Sequence, residues 1–472
     1  MTSRSREKFD LVIIGGGAGA FAAAIRANEL KAVTAMVNSG LPLGGTCVNV
    51  GCVPSKRLIH AAEILHLVYH HGVPGIELEV KHFDFQKVIQ DESALVESLR
   101  REKYEKVLKN LEHVTLIDGY ARFVTQQEIE VNSQKLGAGK FIIATGSTAA
   151  IPPIEGIQEA GFVTHIEALR LERQPKELII IGAGPLGLEF AQMYARFGTN
   201  VTILERLASI FPPAEKELTD RLGEILAEEG ITIKTDVEVK RARKENSAKV
   251  LSYLVNGKQE EVSGDEILLA TGKTPNTPGL GLEEIGVTID RRQAISVNQF
   301  FQTSQPHIFA VGDVIKLPLR LEPTAGNEGT LAAENALMGS QKSIDYTTVP
   351  YTIFTDPQLA GVGLTEEEQM RKMGVCACRT VSFADVPRAI ITGRVEGLIK
   401  MVIHPQTGQI VGVHILAPNA GELIAEAMML IKNKNSVDDV INSLPMFPTL
   451  SEAIKLAALS FTKDISKLSC CV

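Results

Sequence analysis

The feature that most constrains the fold is a pattern that occurs twice along the chain. Residues 11–38 and residues 178–205 each read as an apolar strand, a glycine-rich turn, an amphipathic helix and a second strand. That succession of elements is one βαβ unit of a parallel sheet. The repetition predicts an α/β protein with two Rossmann-like dinucleotide-binding domains.

The turns of the two units carry the same spacing of small residues. Glycines at this spacing permit a tight turn and let a pyrophosphate approach the N-terminus of the following helix. In both copies the second strand ends on a polar residue 23 positions after the first glycine, where a side chain can bond a ribose hydroxyl. The residues concerned are Gly15, Gly17, Ala20 and Asn38 in the first copy, and Gly182, Gly184, Gly187 and Glu205 in the second.

The chain between and after these units indicates how the domains are ordered. Two Ala-Thr-Gly turns follow strand-like runs, in 141–147 and 267–276, and they are typical of crossings between two nucleotide domains. A further strand is predicted over 307–313. We therefore predict a first part of an FAD-binding domain, an NAD(P)H-binding domain, a second part of the FAD-binding domain and a C-terminal interface domain, at 1–147, 148–272, 273–345 and 346–472.

The C-terminal segment has a different pattern. Turns at Asp356-Pro357 and Thr407-Gly408 separate short runs that favour antiparallel strands, and helical stretches follow at 420–433 and 450–463. This segment is predicted to be a separate α+β domain.

Composition excludes some classes of protein. The net charge is −8 and no basic stripe is present, so we expect no nucleic-acid partner. No apolar run approaches the roughly 20 residues of a membrane span, so we expect no membrane segment. The first ten residues lack the apolar region of a secretory signal, which makes a cytoplasmic location the expectation.

Cys47 and Cys52 lie five positions apart in GGTCVNVGCVPSK, residues 44–56. If this segment starts a helix, both sulfurs lie on one face, and the positive end of the helix dipole lowers the pKa of the thiols. Such a pair can hold two electrons as thiolates and release them as a disulfide. The alternatives are a pair of packed cysteines or part of a zinc site, but no further Cys or His lies nearby to complete one.

This cysteine motif, together with the two glycine motifs, the Ala-Thr-Gly turns and the strand before Asp313, resembles the flavoprotein disulfide reductases. The resemblance covers about residues 8–472. It implies FAD in the first dinucleotide site, NADH or NADPH in the second, and a homodimer formed through the C-terminal domain. It also implies that Cys52 contacts the flavin, that Cys47 exchanges with substrate, and that Lys56 and Glu189 pair beside the flavin.

The same resemblance implies a set of cofactor-binding residues. These are Gly15, Gly17, Ala20, Asn38, Gly45, Thr46, Lys56, Thr145, Gly146, Asp313, Gly182, Gly184, Gly187, Glu205, Arg206 and Gly272. Glu205 can accept from a ribose 2′-hydroxyl and favours NADH, whereas the neighbouring Arg206 could bind the 2′-phosphate of NADPH. Both nucleotides therefore remain candidates.

Near the C-terminus the chain departs from the thiol–disulfide reductases. Those proteins carry His-Pro-Thr followed by a Glu, and the imidazole protonates the leaving thiolate of the substrate. Here Phe447 takes the place of that histidine, although Glu452 is retained. An enzyme that splits an organic disulfide needs the proton donor, whereas a metal ion that accepts electrons does not.

The chain ends in KLSCCV, with Cys470 and Cys471 adjacent. Adjacent cysteines form a strained disulfide but can capture a soft cation. With the missing histidine, this tail is similar to that of the mercuric reductases, and it implies reduction of Hg(II) to Hg(0). In that interpretation Cys470 and Cys471 of one subunit pass Hg(II), received as a thiol complex, to Cys47 and Cys52 of the partner.

Several residues depart from the pattern of the related proteins or have more than one interpretation. Thr449 and Pro185 stand where mercuric reductases and their relatives carry tyrosines, and Asn38 stands where a glutamate binds the flavin ribose. Cys376 and Cys378 form a Cys-Ala-Cys motif that is either a second metal-binding pair or two small packed residues. The competing functions are a dihydrolipoamide dehydrogenase-like disulfide reductase, a reductase of another soft electrophile, and a metal- or thiol-binding protein without turnover.

Overall fold

The computed structural model of the chain describes residues 7–317 and 320–469. Its first part is a sheet in the order β3-β2-β1-β6-β5-β4, in which β3, β2, β1 and β6 are parallel and β5 and β4 are antiparallel. The elements are β1 Glu7–Ile14, α1 Ala18–Glu29, β2 Thr34–Asn38, α2 Gly45–Val50, α3 Cys52–His70, α4 Phe85–Arg100, a π-helical turn Arg101–Glu105, α5 Lys106–Lys109, β3 Val114–Asp118, β4 Ala121–Thr125, β5 Glu128–Val131 and β6 Gln134–Ile143.

The second part contains the second βαβ unit. A four-stranded parallel sheet has the order β10-β9-β8-β14, and a three-stranded antiparallel sheet has the order β11-β12-β13. The elements are β7 Ser147–Ala149, α6 Ile157–Ala160, α7 His165–Ala168, β8 Glu177–Ile181, α8 Pro185–Arg196, β9 Asn200–Leu204, α9 Lys216–Glu228, β10 Thr232–Lys234, β11 Glu238–Glu245, β12 Ala248–Val255, β13 Lys258–Gly264, β14 Glu266–Leu269 and β15 Lys273–Pro275.

The chain then returns to the first sheet. Strands β7 and β15 pair with each other as an antiparallel ribbon where the chain leaves the first sheet and comes back. Strand β16 Ile308–Ala310 joins β6 in parallel, and a 3-10 turn Gly312–Val314 and helix α10 Glu322–Met338 follow. Helix α10 packs closely on α1. The two backbones are so near each other that a Cβ at Gly329 would lie 2.0 Å from the carbonyl oxygen of Gly19.

The last part is a five-stranded antiparallel sheet in the order β17-β18-β21-β20-β19, covered by helices. The predicted change to an α+β pattern is therefore found, with an additional short helix, α14, between the two expected helical stretches. The elements are β17 Tyr351–Ile353, β18 Gln358–Gly363, α11 Glu366–Met373, β19 Ala377–Ser382, α12 Pro387–Thr392, β20 Leu398–Ile403, β21 Ile410–Ala417, α13 Ala420–Lys432, α14 Val437–Ile441 and α15 Glu452–Leu459, with 3-10 turns Tyr346–Thr348, Phe383–Asp385 and Ile465–Lys467.

The apolar cores explain how α3, which begins with Cys52, is held. Leu58 and Ile59 of α3 are buried in one cluster with Leu188 of α8 and Leu359 of β18. Burial of each such side chain contributes about 1.5–3 kcal/mol. This cluster therefore fixes the cysteine helix against both the second and the last part of the chain.

The predicted fold class is confirmed by these sheets, while the exact domain boundaries at 147, 272 and 345 stay predictions. Within 7–317 and 320–469, the structure contains no helix long and apolar enough to cross a membrane.

Candidate active site

The first glycine turn leads from β1 into α1 and leaves no room for side chains at Gly15 and Gly45. Gly15 has φ +134°, and a Cβ there would lie 2.2 Å from the carbonyl oxygen of Ala144. Gly45 has φ +61°, and its Cβ would lie 2.6 Å from Cα of Gly17. Gly17 is the N-cap of α1, and no side chain caps that helix, so its first N–H groups are available to a phosphate. A cradle this narrow, lined by backbone, suits the pyrophosphate of FAD.

The other residues predicted to hold the first dinucleotide lie on α1, β2, α2 and the turn after β16. Ala20 is fully buried in α1, and Thr46 is exposed beside Cys47 in α2. Asn38 ends β2, and its amide donates to the carbonyl oxygen of Leu41 at 3.1 Å. Asp313 accepts a hydrogen bond from the hydroxyl of Ser147 at 2.7 Å.

The two Ala-Thr-Gly turns are fixed by reciprocal hydrogen bonds. The Thr145 hydroxyl donates to the carbonyl oxygen of Asn276 at 2.8 Å, and the Asn276 amide donates to the carbonyl oxygen of Thr145 at 2.9 Å. The backbone N–H of Asn276 also donates to Gly146, and Gly272 accepts from the N–H of Ala150. These bonds hold the ends of β6 and β14 at the ribbon that joins the two sheets.

The second glycine turn repeats the geometry of the first. Gly182 lies between β8 and α8, Gly184 is the uncapped N-cap of α8, and a Cβ at Gly187 would lie 2.0 Å from the carbonyl oxygen of Gly182. Pro185 is the first residue of α8 and is exposed. The α8 terminus can thus receive the phosphates of a second nucleotide.

Glu205 and Arg206 differ sharply in their environments. The Glu205 carboxylate is buried and accepts from the N–H groups of Ala183 at 2.6 Å and Leu207 at 2.8 Å. Each oxygen keeps a second lone pair that a ribose hydroxyl can use. Arg206 is exposed and forms no hydrogen bond or ion pair with the residues that the structure describes, so its guanidinium is available to an incoming phosphate.

Cys47 and Cys52 lie on two consecutive helices, although a helix does start at Cys52 as expected. Cys47 belongs to α2, the chain breaks at Gly51 with φ −129° and ψ −114°, and Cys52 is the first residue of α3. The turn between the two helices is tight. A Cβ at Gly51 would lie 2.9 Å from the carbonyl oxygen of Thr46, so there is no room for a side chain at this position. Both cysteines are free thiols, and their sulfurs form a hydrogen bond with each other.

The two thiols have opposite acidities. The pKa of Cys52 is lowered by the hydrogen bond from Cys47 and by the nearby positive charge of Lys56, which outweigh its burial. The pKa of Cys47 is raised by its hydrogen bond to Cys52, by burial and by the charge of Glu322. The expectation that both thiols are acidified is therefore wrong for Cys47, and Cys52 is the thiol that ionises first.

The predicted pair of Lys56 and Glu189 is formed. The Lys56 ammonium lies 2.7 Å from a carboxylate oxygen of Glu189, which is buried, and 4.5 Å from the centre of the Phe354 ring. The other Glu189 oxygen accepts from the N–H of Phe354 at 2.9 Å. This ion pair joins α3, α8 and the segment after β17, and it holds the cation beside Cys52.

The sequence assigns no role to four residues of this region. The buried Asn49 amide donates to the carbonyl oxygens of Pro42, Leu43 and Gly45, and so pins the glycine loop. Burial, together with the charges of Cys47 and Glu322, raises the pKa of Tyr104 to about 12. The buried Glu328 carboxylate accepts from the N–H of Gly312 and from the hydroxyl of Tyr346, and so fixes the turn beside Asp313. Glu322 is the fourth, through its charge on both thiols.

The position of the missing histidine is occupied by an exposed phenyl ring. Phe447 is 46% exposed, and Glu452 is buried and accepts from the N–H of Thr449 at 3.1 Å. The Thr449 hydroxyl bonds to Met446 and Ser451. Glu452 therefore caps its own turn, and no imidazole of residues 7–317 and 320–469 is bonded to it. Cys470 and Cys471 lie outside the described residues.

Comparison with known proteins agrees with this geometry. A family model described as pyridine nucleotide-disulphide oxidoreductase matches residues 9–329, and the dimerisation domain of the same family matches residues 349–458. A mercuric reductase of Lysinibacillus sphaericus is 37% identical over 99% of this chain and 85% of its own length. A dihydrolipoyl dehydrogenase of Thermus scotoductus is 39% identical over 97% of this chain and 98% of its own.

Solved structures show the same architecture. The HOCl-induced flavoprotein disulfide reductase RclA from Escherichia coli superposes with a TM-score of 0.85 at 27% identity, covering 96% of this chain and 100% of that one. The likeness extends over nearly the whole length of both chains.

Proposed function

Because the chain belongs to the pyridine nucleotide-disulphide oxidoreductase family, we propose that it uses NAD(P)H to reduce Hg(II) to Hg(0) at Cys47 and Cys52. The observation that carries the proposal is the contrast between an intact thiol pair and a Glu452 that orients no imidazole. The similarity to mercuric reductases over nearly the whole chain supports it.

Membership of the family implies FAD and a reduced nicotinamide nucleotide. The turns at Gly15 and Gly45 would hold the pyrophosphate of FAD, with Asn38 and Asp313 near the rest of the cofactor, and the turn at Gly182 would hold the second nucleotide. The chemistry that FAD supplies when bound is the passage of an electron pair from the nicotinamide to the cysteine site.

The protein's own residues capture and release the metal. Hg(II) arrives bound to two small thiols, and the thiolates of Cys47 and Cys52 displace them in turn. Two new sulfur–mercury bonds replace the two old ones, and the protons of the protein thiols pass to the departing thiolates. An electron pair then converts Hg(II) to Hg(0), both bonds break, and Cys47 and Cys52 are left as thiolates.

The proton balance explains why the absent histidine is tolerated. Reduction of an organic disulfide leaves a thiolate that must be protonated, and a positioned acid contributes typically 10²–10⁴-fold to such steps. The overall mercury reaction, NAD(P)H + Hg(II) → NAD(P)⁺ + H⁺ + Hg(0), needs no proton at the metal. Phe447 therefore removes nothing that this reaction uses.

We further propose that Cys470 and Cys471 of one subunit deliver Hg(II) to Cys47 and Cys52 of its partner. This step is argued from the sequence, since soft thiolates prefer soft metals, and the match to the dimerisation domain fits a homodimer. Cys470→Ala with Cys471→Ala is expected to reduce turnover several-fold when Hg(II) is held by excess small thiol. Unchanged turnover would reject the relay.

The experiment that tests the main proposal is anaerobic oxidation of NADPH and of NADH by the purified yellow protein. Hg(II) is supplied with excess thiol, and volatile mercury is collected. We expect one Hg(0) for each nucleotide oxidised. Nucleotide oxidation without mercury release, or no dependence on Hg(II), would contradict the proposal.

A second candidate function is reduction of an organic disulfide, which the similarity to a dihydrolipoyl dehydrogenase favours. An assay with lipoamide at high enzyme concentration distinguishes it, because this function requires turnover that is comparable to that with Hg(II). A protein that only binds metal or thiols would lack the flavin absorption spectrum altogether.

A further inference from the structure

A second group of metal-binding side chains lies in the C-terminal sheet. One ligand atom from each of Glu366, Cys376 and Cys378 lies within 4.8 Å of the other two. Glu366 is the first residue of α11, Cys376 directly precedes β19, and Cys378 is the second residue of that strand. All three are partly exposed, so an ion in solution can reach them.

The backbone that carries these residues is held by one buried side chain. The fully buried Gln369 of α11 donates to the carbonyl oxygen of Ile403 at 2.7 Å and accepts from the N–H of Ala377 at 3.1 Å. Thr365 and Glu368 form a capping box at the start of α11. The turn from α11 into β19 is thereby fixed, and the three ligand groups are positioned before any ion binds.

The charges nearby favour a cation. The buried Lys400 ammonium contacts three carboxylates: it is paired with Glu366 and lies 3.2 Å from both Glu215 and Glu217. With Arg379, which donates to the carbonyl oxygen of Cys378 at 2.9 Å, two positive charges face three negative ones and leave an excess of one. The sulfur of Cys378 and a carboxylate oxygen of Glu366 lie within 4.8 Å of each other, so a thiol and a carboxylate already face the same point.

The spacing of the two cysteines favours metal binding over a disulfide. Residues i and i+2 of an extended chain lie about 6.6 Å apart at Cα, which is close to the upper limit of about 6.8 Å for disulfides. Two thiolates on a tetrahedral ion need a sulfur separation of only about 3.8 Å, from metal–sulfur bonds near 2.3 Å. The separation of the ligand atoms, at most 4.8 Å, is compatible with such a bridge.

We propose that Glu366, Cys376 and Cys378 form a binding site for a thiophilic divalent cation, separate from Cys47 and Cys52. The two thiolates are the principal ligands, the carboxylate is the third, and water completes the shell. On binding, two sulfur–metal bonds form, the two thiol protons pass to solvent, and no electron is transferred. This site does not depend on the proposed mercury reductase activity.

The test uses Cd(II), which is thiophilic and which thiols do not reduce. The chain has six cysteines. A full-length holoenzyme with Cys47, Cys52, Cys470 and Cys471 replaced by serine retains only Cys376 and Cys378. We expect it to bind one Cd(II) per chain, with the near-ultraviolet absorption of cadmium–thiolate bonds. The matched control adds Cys376→Ser and Cys378→Ser and is expected to bind at least about 100-fold more weakly.

Two further measurements keep the test decisive. Glu366→Gln in the same background is expected to keep the thiolate absorption and to weaken binding about tenfold. If the four-serine protein does not fold, the wild-type holoenzyme and its Cys376→Ser, Cys378→Ser variant are compared instead, and the variant is expected to bind one Cd(II) fewer per chain. Equal binding with and without the pair, or binding without the thiolate absorption, would overturn the proposal.

Discussion

The structure describes two cysteine pairs, Cys47 with Cys52 and Cys376 with Cys378. Each pair lies near a lysine and a glutamate, but only the first contains a thiol whose pKa is lowered. In each pair the two thiols form a hydrogen bond with each other, and in each a glutamate charge opposes ionisation. The pKa of Cys52 is nevertheless lowered, whereas burial is the main reason that the pKa of Cys376 is raised and that of Cys378 is raised to about 12.

The difference comes from the backbone and from the cation beside each pair. Cys52 is the first residue of α3, where the helix dipole favours a thiolate, and Lys56 is one turn further along the same helix. Cys378 lies on a strand, and Lys400, the cation that lowers the pKa of its thiol, is shared among three carboxylates. The chain thus has one pair suited to electron transfer and one that keeps its protons until a metal displaces them.

The largest expected effect is the loss of Hg(II)-dependent turnover when a cysteine of the first pair is replaced. Cys47→Ser or Cys52→Ser is expected to reduce Hg(II)-dependent NAD(P)H oxidation by about 10³-fold or more, because the pair acts as a unit. The control is reduction of a small quinone, which can take electrons without the cysteines and should persist in both variants. Hg(II) turnover that survives Cys52→Ser would show that the catalytic thiols lie elsewhere.

The next largest expected effect is a difference between the alkylation rates of Cys52 and Cys378 in the reduced protein. At neutral pH, Cys52 is expected to react with iodoacetamide at least about tenfold faster than Cys378, because only thiolates react and one pKa unit changes their fraction tenfold. As pH falls, Cys52 should stay reactive below the range of an ordinary thiol, whereas Cys378 should gain reactivity only as pH rises toward 12. Mass spectrometry of the labelled peptides gives both rates. Equal alkylation rates at Cys52 and Cys378 would show that the pKa values of the two thiols do not differ as described.

Two charge substitutions should move the pKa of Cys52 in opposite directions. Lys56→Gln removes a positive charge and is expected to raise this pKa by about one unit, while Glu322→Gln removes a negative charge and is expected to lower it. Lys56→Arg, which keeps the charge, is the control for the first. The pH dependence of alkylation at Cys52 measures all three, and shifts of the same sign would refute the assignment of causes.

The smallest effect is expected at the second pair. The Glu366 charge raises the pKa of Cys378, so Glu366→Gln should lower it, but by less than about one unit because Lys400 already offsets that charge. Alkylation of Cys378 as a function of pH gives the value. A higher pKa in the variant would mean that Glu366 does not act on the thiol directly.

The repeated βαβ unit could be predicted because its signals are local. Apolar runs define β1 and β8, and the spacing of Gly15 and Gly17 defines the turn that follows. The pairing of Lys56 with Glu189 has no local signal; the family resemblance implies it, and the two charged groups lie 2.7 Å apart. The remaining assigned roles of cofactor-binding residues stay predictions.

The parts that were missed are one local break and several contacts between distant segments. The break at Gly51 arises from its close approach to Thr46, and no periodicity in the sequence marks it. Glu322 acts on Cys47, and Glu366 on Cys378, from other elements of the fold. The Cys-Ala-Cys motif alone could not distinguish packing from metal binding, because its third ligand comes from α11.

The most direct test of where the electron pair goes is an anaerobic titration of the oxidised holoenzyme with one equivalent of NAD(P)H per flavin, followed by mass-spectrometric location of newly formed thiols. Two new thiols should be found, at Cys47 and Cys52, with labelling of Cys376 and Cys378 unchanged. New thiols at Cys376 and Cys378, or none at all, would contradict this assignment.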